Sequence, residues 1–155
     1  MIKINVITNN INWFRYIKNP NNYLDRKLNK LNLKDKTFVT KNVFCTLLLS
    51  GNKEIQFLNK KFRKKNKVTD VLSFPFQTKL NLQKKLKKEK EIYLGDIIIN
   101  LSKIKNKKQL KYFKIELDRL WIHGLVHLLG YDHEKDKDFL KMSQIEKKYF
   151  DFIND

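Results

Sequence analysis

The chain has 155 residues, a length that suits one domain and lets folding bury about 70% of the surface the unfolded form exposes, without disulfide staples. Its 34 lysines and arginines against 16 acidic residues leave a formal charge of +18, which favours polyanionic partners such as RNA or DNA. The single cysteine excludes an internal disulfide, and no segment reaches the ~20 apolar residues of a membrane span.

Taken in chain order, Ile2 to Ile7 alternates Ile2, Ile4 and Val6 with Lys3 and Asn5, the period of a strand with one buried face. Apolar residues then recur at Ile11, Phe14 and Ile17 and, past Asn19-Pro20, at Tyr23, Leu24, Leu28 and Leu31, which predicts a helical pair broken or kinked near the proline. Val43 to Leu49 is a short apolar run fit for a central strand, with Cys45 inside it, and Ser50-Gly51-Asn52 ends it. Ile55, Leu58, Asn59 and Phe62 carry helical spacing as far as Arg63. Val68 to Phe76 is β-prone, but Pro75 cannot donate to a ladder, so this strand belongs at a sheet edge.

Gln77 to Glu91 is lysine-rich with little apolar period and predicts a long exposed loop or flap, or simply a solvated loop. Lysine, asparagine and isoleucine are abundant throughout, which is also what the codon bias of an AT-rich genome produces; such lysines attract phosphate all the same. Tyr93 to Ile99 resumes a strand around Gly95-Asp96, with Asn100 or Ser102 as the cap of a helix after it. From Ile115, the residues Leu117, Leu120, Trp121, Leu125 and Leu128 form one stripe of a helix that stops at Gly130. A last helix from about Asp136 should turn Phe139, Met142, Ile145, Tyr149 and Phe150 inward, with acidic residues suiting its N-terminus. The expectation is one compact α+β domain over residues 1–155, with a mixed four-stranded sheet, helices packed on it, and a metal site at a helix-loop near the C-terminus.

All three histidines fall in the run His123-Gly-Leu-Val-His127-Leu-Leu-Gly130-Tyr-Asp-His133. His123 and His127 are one helical turn apart on the same face, a separation one metal ion can bridge, and Gly130 lets the chain turn so that His133 can reach the ion. Three neutral imidazoles leave a fourth position for water, the arrangement of a catalytic rather than a structural zinc site. The spacing matches the ligand frame of metzincin proteases, except that Gly124 stands where their glutamate base would be and cannot move a proton. Near this motif, Asp132 is either a partner for an imidazole N–H or a cap for the last helix. Asp96 either faces the cleft or forms a backbone turn, Met142 lies either beneath the metal site or in ordinary core, and Glu146, four residues on, shares the Met142 face and can hold a ligand or an arginine in place.

The run His-Gly-x-x-His-Leu-x-Gly-Tyr-Asp-His, followed by Met142 and Glu146, resembles the YbeY family of bacterial endoribonucleases. Two further stretches agree: Asn59 through Arg63 leading into Thr69-Asp70-Val-Leu-Ser73-Phe-Pro75, and Leu94-Gly95-Asp96-Ile97. The first forty residues match only in strand-then-helix order. The resemblance implies a single-strand-specific, zinc-dependent endoribonuclease of small-subunit ribosomal RNA maturation and ribosome quality control. It further implies one zinc ion per chain on His123, His127 and His133, and Arg63 as the cleft arginine. Its partners would be single-stranded RNA, ribosomal RNA and the small ribosomal subunit. A guanidinium at Arg63 can pair two phosphate oxygens at once and offset charge growing in the transition state. The lone cysteine and the absence of a basic-then-apolar start point to the cytoplasm and away from a membrane. Two other functions fit the residues: a metalloprotease, opposed by Gly124, and a non-catalytic ribosome-assembly factor in which metal only folds the C-terminal half.

Overall fold

In the computed structural model, which describes residues 1–155, four strands form one mixed sheet in the order β1-β2-β4-β3. β1 (Ile2–Thr8) runs parallel to β2 (Asn42–Ser50), and β2 runs parallel to β4 (Glu91–Asn100). β3 (Val71–Pro75) lies antiparallel to β4 at the edge, where its proline is tolerated. The two central strands are the ones with continuous apolar runs, because a strand covered on both faces has no polar side to offer.

The first face of the sheet carries the main core. Ile2, Ile4, Val6, Val43, Cys45, Leu47, Leu49, Ile97 and Ile99 are buried there against α1 (Pro20–Lys34), α4 (Leu110–Leu128) and α5 (Asp136–Asn154). The second face is covered by α2 (Asn52–Arg63), whose Ile55 joins Leu72 and Ile98 in a smaller cluster. The break at the proline is real: a 3-10 turn at Ile11–Arg15 precedes α1, whose N-cap Asn19 accepts from the Asn22 N–H and whose first residue is Pro20. Asn100, fully buried, caps a single 3-10 turn at Leu101–Lys103 and also donates to Asn52 Oδ1 and the Thr69 carbonyl.

Three expectations need correction. Gln77 to Glu91 is not a loop, because Lys79–Lys88 forms helix α3, capped by Thr78, with Leu82 buried and Leu86 half-buried. Two inward leucines four apart suffice where the core is already present to receive them, and they are too few to show a period in the sequence. Helix α4 begins at Leu110 rather than near Ile115, adding the fully buried Phe113. Phe139 is exposed, since the buried stripe of α5 starts at Met142 and runs through Tyr149 to Ile153, leaving the first turn nothing to pack on.

Buried carboxylates tie the helices together. Asp118 of α4, only 1% exposed, accepts from Tyr23 Oη at 2.9 Å and Trp121 Nε1 at 3.0 Å, and pairs with Lys27 Nζ at 2.9 Å. Asp35, just past α1, accepts from Thr37 Oγ1 at 2.7 Å and from Tyr149 Oη of α5 at 2.8 Å. Burial alone would raise the Asp35 pKa, but the bonds from Thr37 and Tyr149 and the charge of Lys148 outweigh it and hold the carboxyl below its ordinary 3.8. The unfolded chain therefore takes up this proton first as acid is added. The stabilisation is complete above pH ~3.8 and is lost as pH falls through the lower folded value. We expect Asp35→Asn to unfold at lower urea than the wild type at pH 6, with the deficit shrinking towards pH 3; a deficit that does not change with pH would contradict this origin.

Candidate metal centre

Helix α4 is apolar around most of its circumference, so it lies deep in the domain and leaves His123 and His127 half-buried on its one polar strip. Gly130 follows the helix end with φ +91, the left-handed conformation that a side chain resists. Its N–H bonds to the His127 carbonyl at 2.9 Å, and that of Tyr131 to the Val126 carbonyl at 3.3 Å, so the chain folds back over the last turn. The exposed His133 returns from the loop beyond. The three histidines each offer a ring nitrogen, and these atoms lie within 4.8 Å of one another. Three nitrogens on one zinc at ~2.1 Å and tetrahedral angles would be ~3.4 Å apart, so modest ring rotations suffice for a fit.

Two of the rings are already oriented. Nδ1 of His123 donates to Glu146 Oε1 of α5 at 2.6 Å, and Nδ1 of His127 donates to the Tyr131 carbonyl at 3.1 Å. Both bonds leave the lone pair on Nε2, the pattern that fixes a ligand's tautomer. Burial, and then the neighbouring His123 and His133, hold the His127 pKa below the ordinary imidazole value, which keeps that ring neutral at neutral pH.

Asp132 takes neither of the roles its position suggests. Its Oδ1 accepts the backbone N–H of His133 at 2.7 Å, while α5 is capped at Lys135. Met142 is core. Asp96 points away from the triad, into the groove on the α2 face of the sheet, and accepts from Tyr93 Oη. The cause is the bulge where Cys45 pairs with Gly95 after Phe44 pairs with Tyr93. Gly95, with φ +135, has no room for a Cβ against the Phe74 carbonyl.

Arg63 is the last residue of α2, which Lys64 ends in a left-handed conformation with φ 56. Its Nη2 donates to the Ser73 carbonyl at 2.9 Å, and its guanidinium stands 5.6 Å from the Phe74 ring centroid. These contacts put Arg63 on β3, the strand whose Val71 lines one cavity with His123. Around that carbonyl, Asp70 O and Phe76 N bond to β4, so Val71, Ser73 and Pro75 direct their backbone groups outwards. Asp70 Oδ1 takes the Val71 N–H at 2.8 Å. The Ser73 side chain is buried, on the α4 side with its pairing partner Ile97.

Gly124 faces the sheet. A Cβ there would stand 2.6 Å from Ile97 Cγ2, so the glycine is the point at which α4 lies flush on β4, and a glutamate has no space in this position. We expect Gly124→Ala to lower stability by ~1 to 3 kcal/mol through overpacking, and Ile97→Ala in the same chain to recover part of the loss. Strictly additive losses in urea unfolding would refute the contact.

The sequence profile of a family described as Endoribonuclease YbeY matches residues 2–154. A Pelagibacter ubique relative called Endoribonuclease YbeY is 44% identical over 156 aligned positions, covering 99% of this chain and 97% of the relative. One of the same name from Ehrlichia canis is 36% identical, covering 97% and 92%. The solution structure of TM1509 from Thermotoga maritima is similar with a TM-score of 0.57 at 28% identity, covering 99% of this chain and 89% of that one. The matched span takes in the triad, Arg63 and every strand of the sheet, and on this basis the chain belongs to the Endoribonuclease YbeY family.

Proposed function

We propose that this protein is a single-strand-specific, zinc-dependent endoribonuclease of the cytoplasm, acting on small-subunit ribosomal RNA in maturation and ribosome quality control. The observation that carries the reading is the triad, with three ring nitrogens within 4.8 Å of one another and two of the rings held by acceptors at Nδ1. The family name supports RNA as substrate, and the charge of +18 suits a phosphate backbone. No helix is long and apolar enough to cross a membrane.

One zinc ion on His123, His127 and His133 would supply a Lewis acid and make water a usable nucleophile near neutral pH without a dedicated carboxylate base. Glu146 holds the His123 ring in place and fixes the tautomer that leaves its Nε2 lone pair for the metal. Arg63 commits one N–H to Ser73, and its remaining donors form the fork that can pair phosphate oxygens as their charge grows. The protease alternative lacks support, because the position of its base is packed against Ile97.

Elemental analysis of protein purified without chelator should find one zinc per chain, and His127→Ala should lose both the metal and cleavage of single-stranded RNA. Metal-loaded wild type that binds RNA without cutting it would instead indicate a non-catalytic assembly factor. Arg63→Ala should reduce single-turnover cleavage by ~10² to 10³, with metal content intact. Arg63→Lys should recover little, since a point charge cannot reproduce a two-pronged contact. Cleavage by Arg63→Ala within about twofold of wild type, the effect of losing one surface cation, would remove the catalytic role.

A further inference from the structure

On the α5 side of the triad, a cavity of about 520 Å³ opens between β3, α4 and α5, inside the ~300 to 1,000 Å³ range of small-molecule sites. Of the triad only His123 lines it, beside the Glu146 that holds that ring; His127 and His133 do not. Val71, Leu120 and Phe150 give it apolar walls. Its rim is cationic. Arg119 stands one helical turn before His123, and Lys147 comes directly after Glu146 on α5. Neither has a carboxylate partner among the chain's ion pairs. The Arg119 guanidinium lies 5.4 Å from the Phe150 ring centroid, a contact that fixes the cation over the aromatic wall.

Asp70 supplies the remaining chemistry. Its Oδ1 takes the Val71 N–H at 2.8 Å and the Thr69 hydroxyl at 3.3 Å, while Oδ2 makes no hydrogen bond within the chain. The other carboxylate of the cavity, Glu146, is tied to the His123 ring through Oε1, which commits this side chain to the triad. Apolar walls with the flat Phe150 ring among them, two unpaired cations and the free Asp70 Oδ2 match the parts of a nucleotide: a base face, a phosphate and a hydrogen-bond donor on the base edge. Adenine, cytosine and guanine carry an exocyclic amine that can donate to a carboxylate. Where adenine and cytosine carry that amine, uracil carries the carbonyl oxygen O4, which repels a carboxylate, and its one edge donor, N3–H, is flanked by two such oxygens.

We propose that this cavity is a nucleotide subsite, seating the RNA residue next to the scissile phosphate and preferring amino-bearing bases to uracil. Its place beside the scissile bond rests on the endoribonuclease reading, whereas nucleotide binding itself needs no cleavage. The Arg119 and Lys147 cations take the phosphate, Leu120 and Phe150 contact the base, and Asp70 Oδ2 accepts from its amine.

The test is an NMR titration of metal-replete protein with adenosine monophosphate, uridine monophosphate and inorganic phosphate. Adenosine monophosphate should bind more tightly than the other two and shift resonances of Val71, Leu120 and Phe150. The Arg119→Ala/Lys147→Ala double variant should weaken it ~10-fold or more, as expected for losing charge-assisted bonds. Asp70→Asn keeps an acceptor for the Val71 N–H but replaces the free oxygen with an amide NH2 donor, so the preference should shift towards uridine monophosphate. Equal binding of all three probes, or variants that bind like the wild type, would overturn the subsite. Nucleotide binding as described with no RNA cleavage would uphold the subsite and remove the endoribonuclease reading. Cleavage without mononucleotide binding would remove the subsite alone.

Discussion

The close approach of α4 to β4 at Gly124 and Ile97 governs the rest of the molecule. With no Cβ on Gly124, the helix rests on the sheet's main face, and its buried residues fill the core from Phe113 to Leu128. The strip left over is narrow and holds His123 and His127. Helix α5 then packs against α4 and delivers Glu146 to His123, while β3 lies alongside and brings Val71 to the cavity that His123 lines. Raising α4 by even a fraction of an ångström would move both histidines and their supports together, because packed interiors transmit strain instead of absorbing it.

The electrostatics of the site use few carboxylates. In a chain of +18, one acidic side chain bonds a ring of the triad and orients it, while Asp132 takes only the backbone N–H of His133. His133 is exposed and neither of its ring nitrogens is held, so in the proposed reading it is the ligand whose ordering would wait on a bound ion. The other two are set in place by the fold. In the proposed reading, this division lets the site be assembled by folding and closed by the ion.

Much of this is legible in the sequence because it depends on local rules. Strand alternation in Ile2 to Val6, the apolar run of β2, the proline at the edge of β3 and the i, i+4 histidines before Gly130 each express one physical constraint within a few residues. What escapes detection depends on distant partners. Helix α3 hides because its lysines swamp two leucines that matter only when a core receives them. The Asp118 network joins residues nearly a hundred positions apart, and no spacing in α4 announces a buried carboxylate. Helical spacing places Glu146 on the same face as Met142, where it can hold a ligand or an arginine, and only the α4–α5 packing decides for His123. Arg119 is the exception: it sits one turn from His123 on the same helix, and the spacing that reveals His127 would also have revealed it.

The outer margin of β3 carries one more consequence. An unsealed strand edge is a template on which any extended chain can add itself, including another copy of the same protein. Here the groups that would receive such a guest are blunted. The Val71 N–H is turned to Asp70, the Ser73 carbonyl is taken by Arg63, and Pro75 has no N–H to give. The margin next to the histidines is therefore a poor clamp for a polypeptide backbone, and the same three residues that discourage proteins from docking there also guard the fold against edge-to-edge aggregation.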